Sequence, residues 1–225
     1  MVVPADLVSD PTLAQALKHA RFILSDQPGI WIREERLAGS TFRAQIDLLV
    51  PEAIAGAGTR SADVGPHGKR TARRVLGLEG ALVDHAPRRI GSLDPADARE
   101  FDVRVAGPAA LLVAKVHKIS ERIENERRRK DKDALDVLRI LRAIGTAELR
   151  DGLRRLQEAE VSARVADAAI KAIAELFLTM RSPGSQMAAR SVVPFEDPDL
   201  IAQSCAALVS DLLIALGEAP PADRS

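Results

Sequence analysis

The sequence predicts an α+β protein, a small mixed-sheet domain followed by an α-helical bundle. Three observations carry this. Up to about residue 105 the apolar periods are mixed, with alternating stretches suited to strands beside a short helical one. After Gly107-Pro108 the period turns helical and stays so to about residue 216. A chain of 225 residues with 46% hydrophobic and 28% charged residues has an ordinary globular composition and can bury a sizeable core. The expected domains are 1–106, mixed α/β, and 107–217, helical, with a disordered tail over 218–225.

The elements follow in order. PTLAQALKHA predicts a helix with Asp10 as cap and Pro11 at its first position. IWIREERL (30–37) and TFRAQIDLLV (41–50) predict strands joined by a turn at Gly39-Ser40. Residues 56–74, rich in Gly and basic side chains, predict a loop. Short strands are expected over 81–84, 88–90 and 100–105, and helices over 108–127, 132–144, 146–157, 161–180 and 198–216. Residues 181–199 predict a loop between the last two helices.

Composition excludes several functions. Lys+Arg and Asp+Glu are both 32, so net charge gives no reason to expect nucleic-acid or membrane binding. Aromatics are 3% with no Tyr, which argues against stacking platforms for single strands. The single cysteine, Cys205, excludes an internal disulfide and a Cys-rich zinc site, and its apolar helical setting marks it as core. His19, His67, His85 and His117 match no metal-ligand spacing, and no P-loop or nucleophile elbow is present. The N-terminus lacks the pattern of a signal peptide, and 200–216 is read as too short and too polar to span a bilayer. A cytoplasmic location with no membrane partner is expected.

One constellation stands out. On a wheel of 100° per residue, Leu112, Val116, Ile119 and Ile123 share a stripe, and Lys115, Lys118 and Arg122 share a narrow stripe beside it. Three cations on one face repel unless they are solvated or meet an anion. A solvated basic face and a triphosphate site are both open readings. On the next helix Asp133 falls inside the arc of Val137, Ile140, Leu141 and Ile144. A carboxylate turned toward a core needs a partner. Two readings stay open: Asp131 or Asp133 caps the helix, or Asp133 faces a site and pairs with Lys115. Lys69 and Arg70, in the basic loop, offer a local phosphate grip or a solvated loop.

GPAALLVAKVHKISER followed by RRRKDKDALDVLRIL resembles the nucleotidyltransferases of the AbiEii type, which include the MenT-like toxins of toxin–antitoxin systems. The family's L-x-x-x-K helix matches Leu111 and Lys115, and its R-x-x-K-D-x-x-D motif matches Arg129, Lys132, Asp133 and Asp136. The strand in QIDLLVP, with Asp47, looks like the family strand bearing a third acidic residue. The PHGKR loop and GLEGALVDH fit the region between, so the resemblance covers roughly 1–145.

The resemblance implies a nucleotidyltransferase-like first domain, with carboxylates holding Mg²⁺ and cations neutralising charge on a nucleoside triphosphate. It implies that Asp47 is a general base or metal partner, that Lys115 holds the triphosphate, and that Asp133 orients Lys115 or the acceptor. Lys69, Arg70, Lys118, Arg122, Arg129 and Asp136 are the expected substrate-binding residues. The implied acceptors are a tRNA 3′ end, another RNA or another hydroxyl, and the implied protein partner is a cognate antitoxin.

The chain departs from the family at its first motif, Gly-Ser with a helix and then Asp-x-Asp. No Asp-x-Asp precedes Asp47; Gly39-Ser40 is a partial mimic, and Leu49 stands at the second Asp position. MVVPADL is expected to correspond to the stretch just after that motif, which places the chain's start downstream of it. Two functions are therefore carried: an enzyme moving an NMP from an NTP to a hydroxyl, if the motif is encoded upstream, or an inactive remnant that binds nucleotide, RNA or protein.

Overall fold

The computed structural model describes residues 12–37, 39–55, 59–125, 127 and 129–218. The chain divides into two compact units, Met1–Leu78 and Glu79–Ser225, so the boundary expected at 106/107 falls inside the second. The chain is α+β throughout, with small sheets of two or three strands.

The first unit opens on α1 (Leu13–His19). Its cap is Thr12, whose Oγ1 accepts from the Gln15 amide at 3.2 Å while Gln15 Oε1 accepts from the Thr12 amide at 2.7 Å. Asp10 and Pro11, expected in that role, lie outside the described residues. His67 is buried and its Nδ1 accepts from the Leu13 amide at 3.0 Å, which satisfies another donor at the helix start.

β1 (Ile23–Leu24), β2 (Ile30–Leu37) and β3 (Ser40–Asp47) form one antiparallel sheet in that order. The strand expected over 41–50 is broken at Leu48. The Leu48 amide donates to Gly29 O at 2.7 Å and its carbonyl accepts from the Arg73 amide at 2.8 Å, so this backbone leaves the hairpin ladder. β4 (Leu49–Pro51) then pairs in parallel with β6 (Ala72–Val75), which pairs antiparallel with β5 (Ser61–Ala62). The segment 56–74 therefore supplies strands where a loop is expected; residues 56–58 of it lie outside the described residues. Gly29 has φ +75°, and a Cβ there would sit 2.5 Å from Leu48 O. Trp31, buried among Leu17, Leu48, Val50 and Ala72, donates from Nε1 to Thr71 O at 3.0 Å.

In the second unit residues 79–82 form a 3-10 turn where a strand over 81–84 is expected. Gly80 is seated against Ala110 and Leu156, with a Cβ position 3.2 Å from Leu156 Cδ1, so packing on the helices decides the local conformation. β7 (His85–Gly91) and β8 (Glu100–Ala106) form an antiparallel two-stranded sheet from His85↔Ala106 to Gly91↔Glu100. Between β7 and the helices, Asp84 Oδ2 accepts from the Ala110 amide at 3.0 Å. Its carbonyl accepts from the Gly107 amide at 2.8 Å. A Cβ at Gly107 would lie 2.2 Å from Asp84 Oδ1.

The bundle comprises α2 (Pro108–Ser120), α3 (Asp131–Ala143), α4 (Thr146–Glu158), α5 (Ala163–Phe177), α6 (Pro183–Arg190) and α7 (Pro198–Leu216). α2 ends sooner than the expected 127. α6 lies inside the stretch expected as a loop, opened by Pro183 after Ser182. The core holds Leu112, Val116, Leu138, Leu156, Phe177 and Leu212 among others. By length and composition α7 could cross a membrane, unlike the expectation for 200–216; here Ile201, Cys205, Val209, Leu212 and Leu213 on one side are buried in the bundle.

Candidate functional site: an ion network between α2 and α3

The apolar positions Leu112, Val116 and Ile119 rotate one side of α2 into the core. That places Lys115 and Lys118 on the flank toward α3, with Arg122 in the turn that follows α2. On α3, Ala134, Val137, Leu138 and Leu141 are buried, and their arc carries Asp133 inward with them. Asp133 is 2% exposed. A carboxylate there is tolerated only with strong partners.

The partners are present. Lys118 Nζ donates to Asp133 Oδ1 at 2.7 Å and Lys115 Nζ donates to the same oxygen at 3.2 Å. Arg122 Nη1 stands 3.9 Å from Asp133 Oδ2. Lys115 Nζ also donates to Asp136 Oδ2 at 2.7 Å, and Arg139 Nη1 donates to Asp136 Oδ1 at 3.2 Å. Asp133 does not cap the helix, because the cap position is Lys130 and has no side-chain bond. Asp131 does not cap it either; its carboxylate pairs with Arg190 of α6 at 2.8 Å and 3.1 Å.

The protonation states follow from these contacts. Burial pushes the Asp133 carboxyl up, but the hydrogen bonds and charges of Lys118 and Lys115 outweigh it and hold it below the usual range. Burial also pushes Asp136 up, and Lys115 with Arg139 outweighs it in the same way. Burial lowers Lys115, while Asp136 and Asp133 raise it further, so its ammonium is held above the ordinary lysine value. All three are charged at neutral pH. Arg122 Nε is buried and has no hydrogen-bond partner among the described residues.

The other expected residues are placed as follows. Asp47 ends β3 opposite Ile30, half-buried, and its Oδ1 accepts from Gln45 Nε2 at 2.9 Å. Arg70 donates to the carbonyls of Ser25 and Asp26 at 3.2 Å and 2.7 Å, a tie that holds the β1–β2 connection. Lys69 is exposed, and Arg129 is half-buried before α3. Asp47, Lys69 and Arg70 belong to the first unit, and the network belongs to the second. Arg139 was not singled out in the sequence; its place one turn after Asp136 was the available signal.

A metal can be tested against the donors. No group of three or more His, Cys, Asp or Glu positioned to hold an ion occurs among the described residues. Asp133 and Asp136 have their oxygens on cationic groups, and Asp131 is on Arg190. These residues do not fit a protein-held Mg²⁺, and Asp47 brings a single carboxylate. Cys205 is buried, which pushes its thiol up to about 11 and makes it inert. A cavity of about 620 Å³ lies elsewhere, lined by Arg142, Glu196, Asp197, Gln203 and Ser204 with apolar residues of α7.

Comparison with protein-family models, with curated proteins and with solved structures gave no match.

Proposed function

We propose that the α2–α3 network binds the phosphates of a nucleoside triphosphate and that the chain is a nucleotidyltransferase-like protein, moving an NMP to an acceptor hydroxyl. One observation supports the phosphate role most. Among the described residues, Lys115, Lys118, Arg122 and Arg139 meet two carboxylates, Asp133 and Asp136, at a partly open surface. The surplus positive charge suits a polyanion. Asp133 acts as a buried counter-ion that fixes both ammonium groups, and Lys115 is held charged by Asp136 and Asp133. Preset cations of this kind stabilise charge developing on a leaving pyrophosphate without reorganising.

The described carboxylates offer Mg²⁺ no site of their own, so in this reading the cations of the network act on the phosphates directly. Asp47 as a general base, a tRNA 3′ end or another RNA as acceptor, and a cognate antitoxin as partner rest on the sequence resemblance. The cytoplasmic location rests on the sequence.

A second reading is favoured by the same donor set. With Asp133 and Asp136 neutralised, the chain would bind nucleotide, RNA or a protein without catalysis. Calorimetric titration with ATP and GTP, followed by incubation with labelled NTP, Mg²⁺ and tRNA, separates the two. Binding weakened about tenfold or more by Lys115→Ala and by Lys118→Ala is expected, the loss of one charge-assisted phosphate contact each. Transfer of label supports the enzyme, and binding without transfer supports the module. Affinity unchanged in both variants, or no binding by the wild-type chain, would overturn the phosphate role.

A further inference from the structure

The β7–β8 hairpin has a use that the network leaves unexplained. No third strand joins this sheet among the described residues. Two-stranded ribbons are marginal in water unless something covers or extends them. The register places Ala86 with Val105, Arg88 with Val103 and Ile90 with Phe101 on one face. Phe101 is 60% exposed, Ile90 49% and Val105 41%. The opposite face pairs Pro87 with Arg104, Arg89 with Asp102 and Gly91 with Glu100.

The two edges are not equivalent. β7 contains Pro87, which cannot donate to a ladder and is accommodated with its nitrogen turned outward. β8, EFDVRVA, contains no proline and keeps its donors. The charges on the polar face are also unbalanced along β8. Arg89 is shared by Glu100 at 3.5 Å and Asp102 at 3.4 Å. Arg104 has no ion-pair partner among the described residues.

We propose that the free edge of β8 pairs antiparallel with β8 of a second copy of this chain, about a two-fold axis at Val103. The charges select this register. Centred on Val103, Asp102 of each copy stands opposite Arg104 of the other, and Phe101 stands opposite Val105. Centred on Asp102, Arg104 would stand opposite Glu100 but two carboxylates would face each other at the axis; centred on Arg104, two guanidiniums would. The Val103 register gives Arg104 its missing partner and gives Asp102 a second cation. It also joins the apolar faces of the two hairpins into one four-stranded face and removes the open edge. The interface is isologous and closes at two copies.

The test uses cysteine pairs in the full-length chain with diamide as oxidant; the native Cys205 is buried. Val103→Cys places a thiol opposite its own symmetry mate, within reach of a disulfide. Asp102→Cys and Arg104→Cys do not. Covalent dimer from Val103→Cys alone on a non-reducing gel is the expected result, together with a wild-type dimer in sedimentation equilibrium. Arg104→Asp is expected to weaken that dimer about tenfold or more, because it sets carboxylates opposite each other at two symmetric places. Combining it with Asp102→Arg should restore the dimer. A monomeric wild-type chain, or preferential cross-linking through Asp102→Cys or Arg104→Cys, would overturn the proposal. Far-UV circular dichroism of each variant verifies that the helices are intact.

Discussion

Replacing Asp133 with Asn removes one charge and leaves the side-chain volume almost unchanged. Asp133 Oδ1 accepts from Lys118 at 2.7 Å and from Lys115 at 3.2 Å. At about 1.5–3 kcal/mol for each bond to a charged group, the pair is worth at most about 6 kcal/mol. The lysine side chains are 28% and 35% exposed, so on release they regain water. That screening reduces the net loss to about 2–3 kcal/mol. The variant also leaves Lys115 with Asp136 and takes from Lys118 and Arg122 the carboxylate they face. Urea unfolding followed by far-UV circular dichroism reads the helices directly. With a slope of about 2 kcal/mol per molar, the midpoint should fall by about 1–1.5 M. A fall of less than about 0.3 M with unchanged slope would refute the reasoning, since it would mean that Asp133 holds no charge that the fold depends on.

Two further outcomes are expected. Asp133 and Asp136 titrate below the ordinary carboxylate range and Lys115 above the ordinary lysine value. The carboxylates stabilise fully above their unfolded values near about 4 and lose that as pH falls through the folded ones; Lys115 stabilises fully below about 10.4 and loses that as pH rises through its folded value. The urea midpoint should therefore fall in acid below about 4, with a shallower acid limb in Asp133→Asn, and fall in alkali from about 8.5 upward, where the Cys205 thiol ionises in the unfolded chain before the folded one and Lys115 follows. Gly29→Ala forces a Cβ to within 2.5 Å of Leu48 O at φ +75°. It should cost about 2 kcal/mol or more, seen as earlier loss of native Trp31 fluorescence in urea; an unchanged midpoint would show that this crossing can relax.

The sequence made the helices of the bundle legible because their apolar stripes are local. α3 (Asp131–Ala143) and α7 (Pro198–Leu216) fall within a residue or two of their expected limits. α6 was hidden because Pro183-Gly184 reads as a turn, although proline after Ser182 also opens helices. β4, β5 and β6 were hidden because their pairing joins Leu49 to Arg73 and Ser61 to Arg73, and no local period records such contacts. At the network, the inward position of Asp133 could be read from the wheel. That Lys118 is its nearest cation, and that Lys115 divides itself between Asp133 and Asp136, depends on how α2 and α3 face each other, which one helix's wheel does not contain.

Gly107 has an ordinary φ of −75°, so backbone torsion does not require glycine there. Space does, since a Cβ would overlap the Asp84 carboxylate that receives the Ala110 amide. Any larger residue at 107 would push that carboxylate off the first turn and free α2 to rotate about its axis. Lys115 lies about two turns downstream, so its azimuth is set at the far end of the same rod. Loss of affinity at Lys115 could thus originate from a codon that touches no ligand. In a saturation library selected for nucleotide binding, position 107 should tolerate substitution no better than position 115.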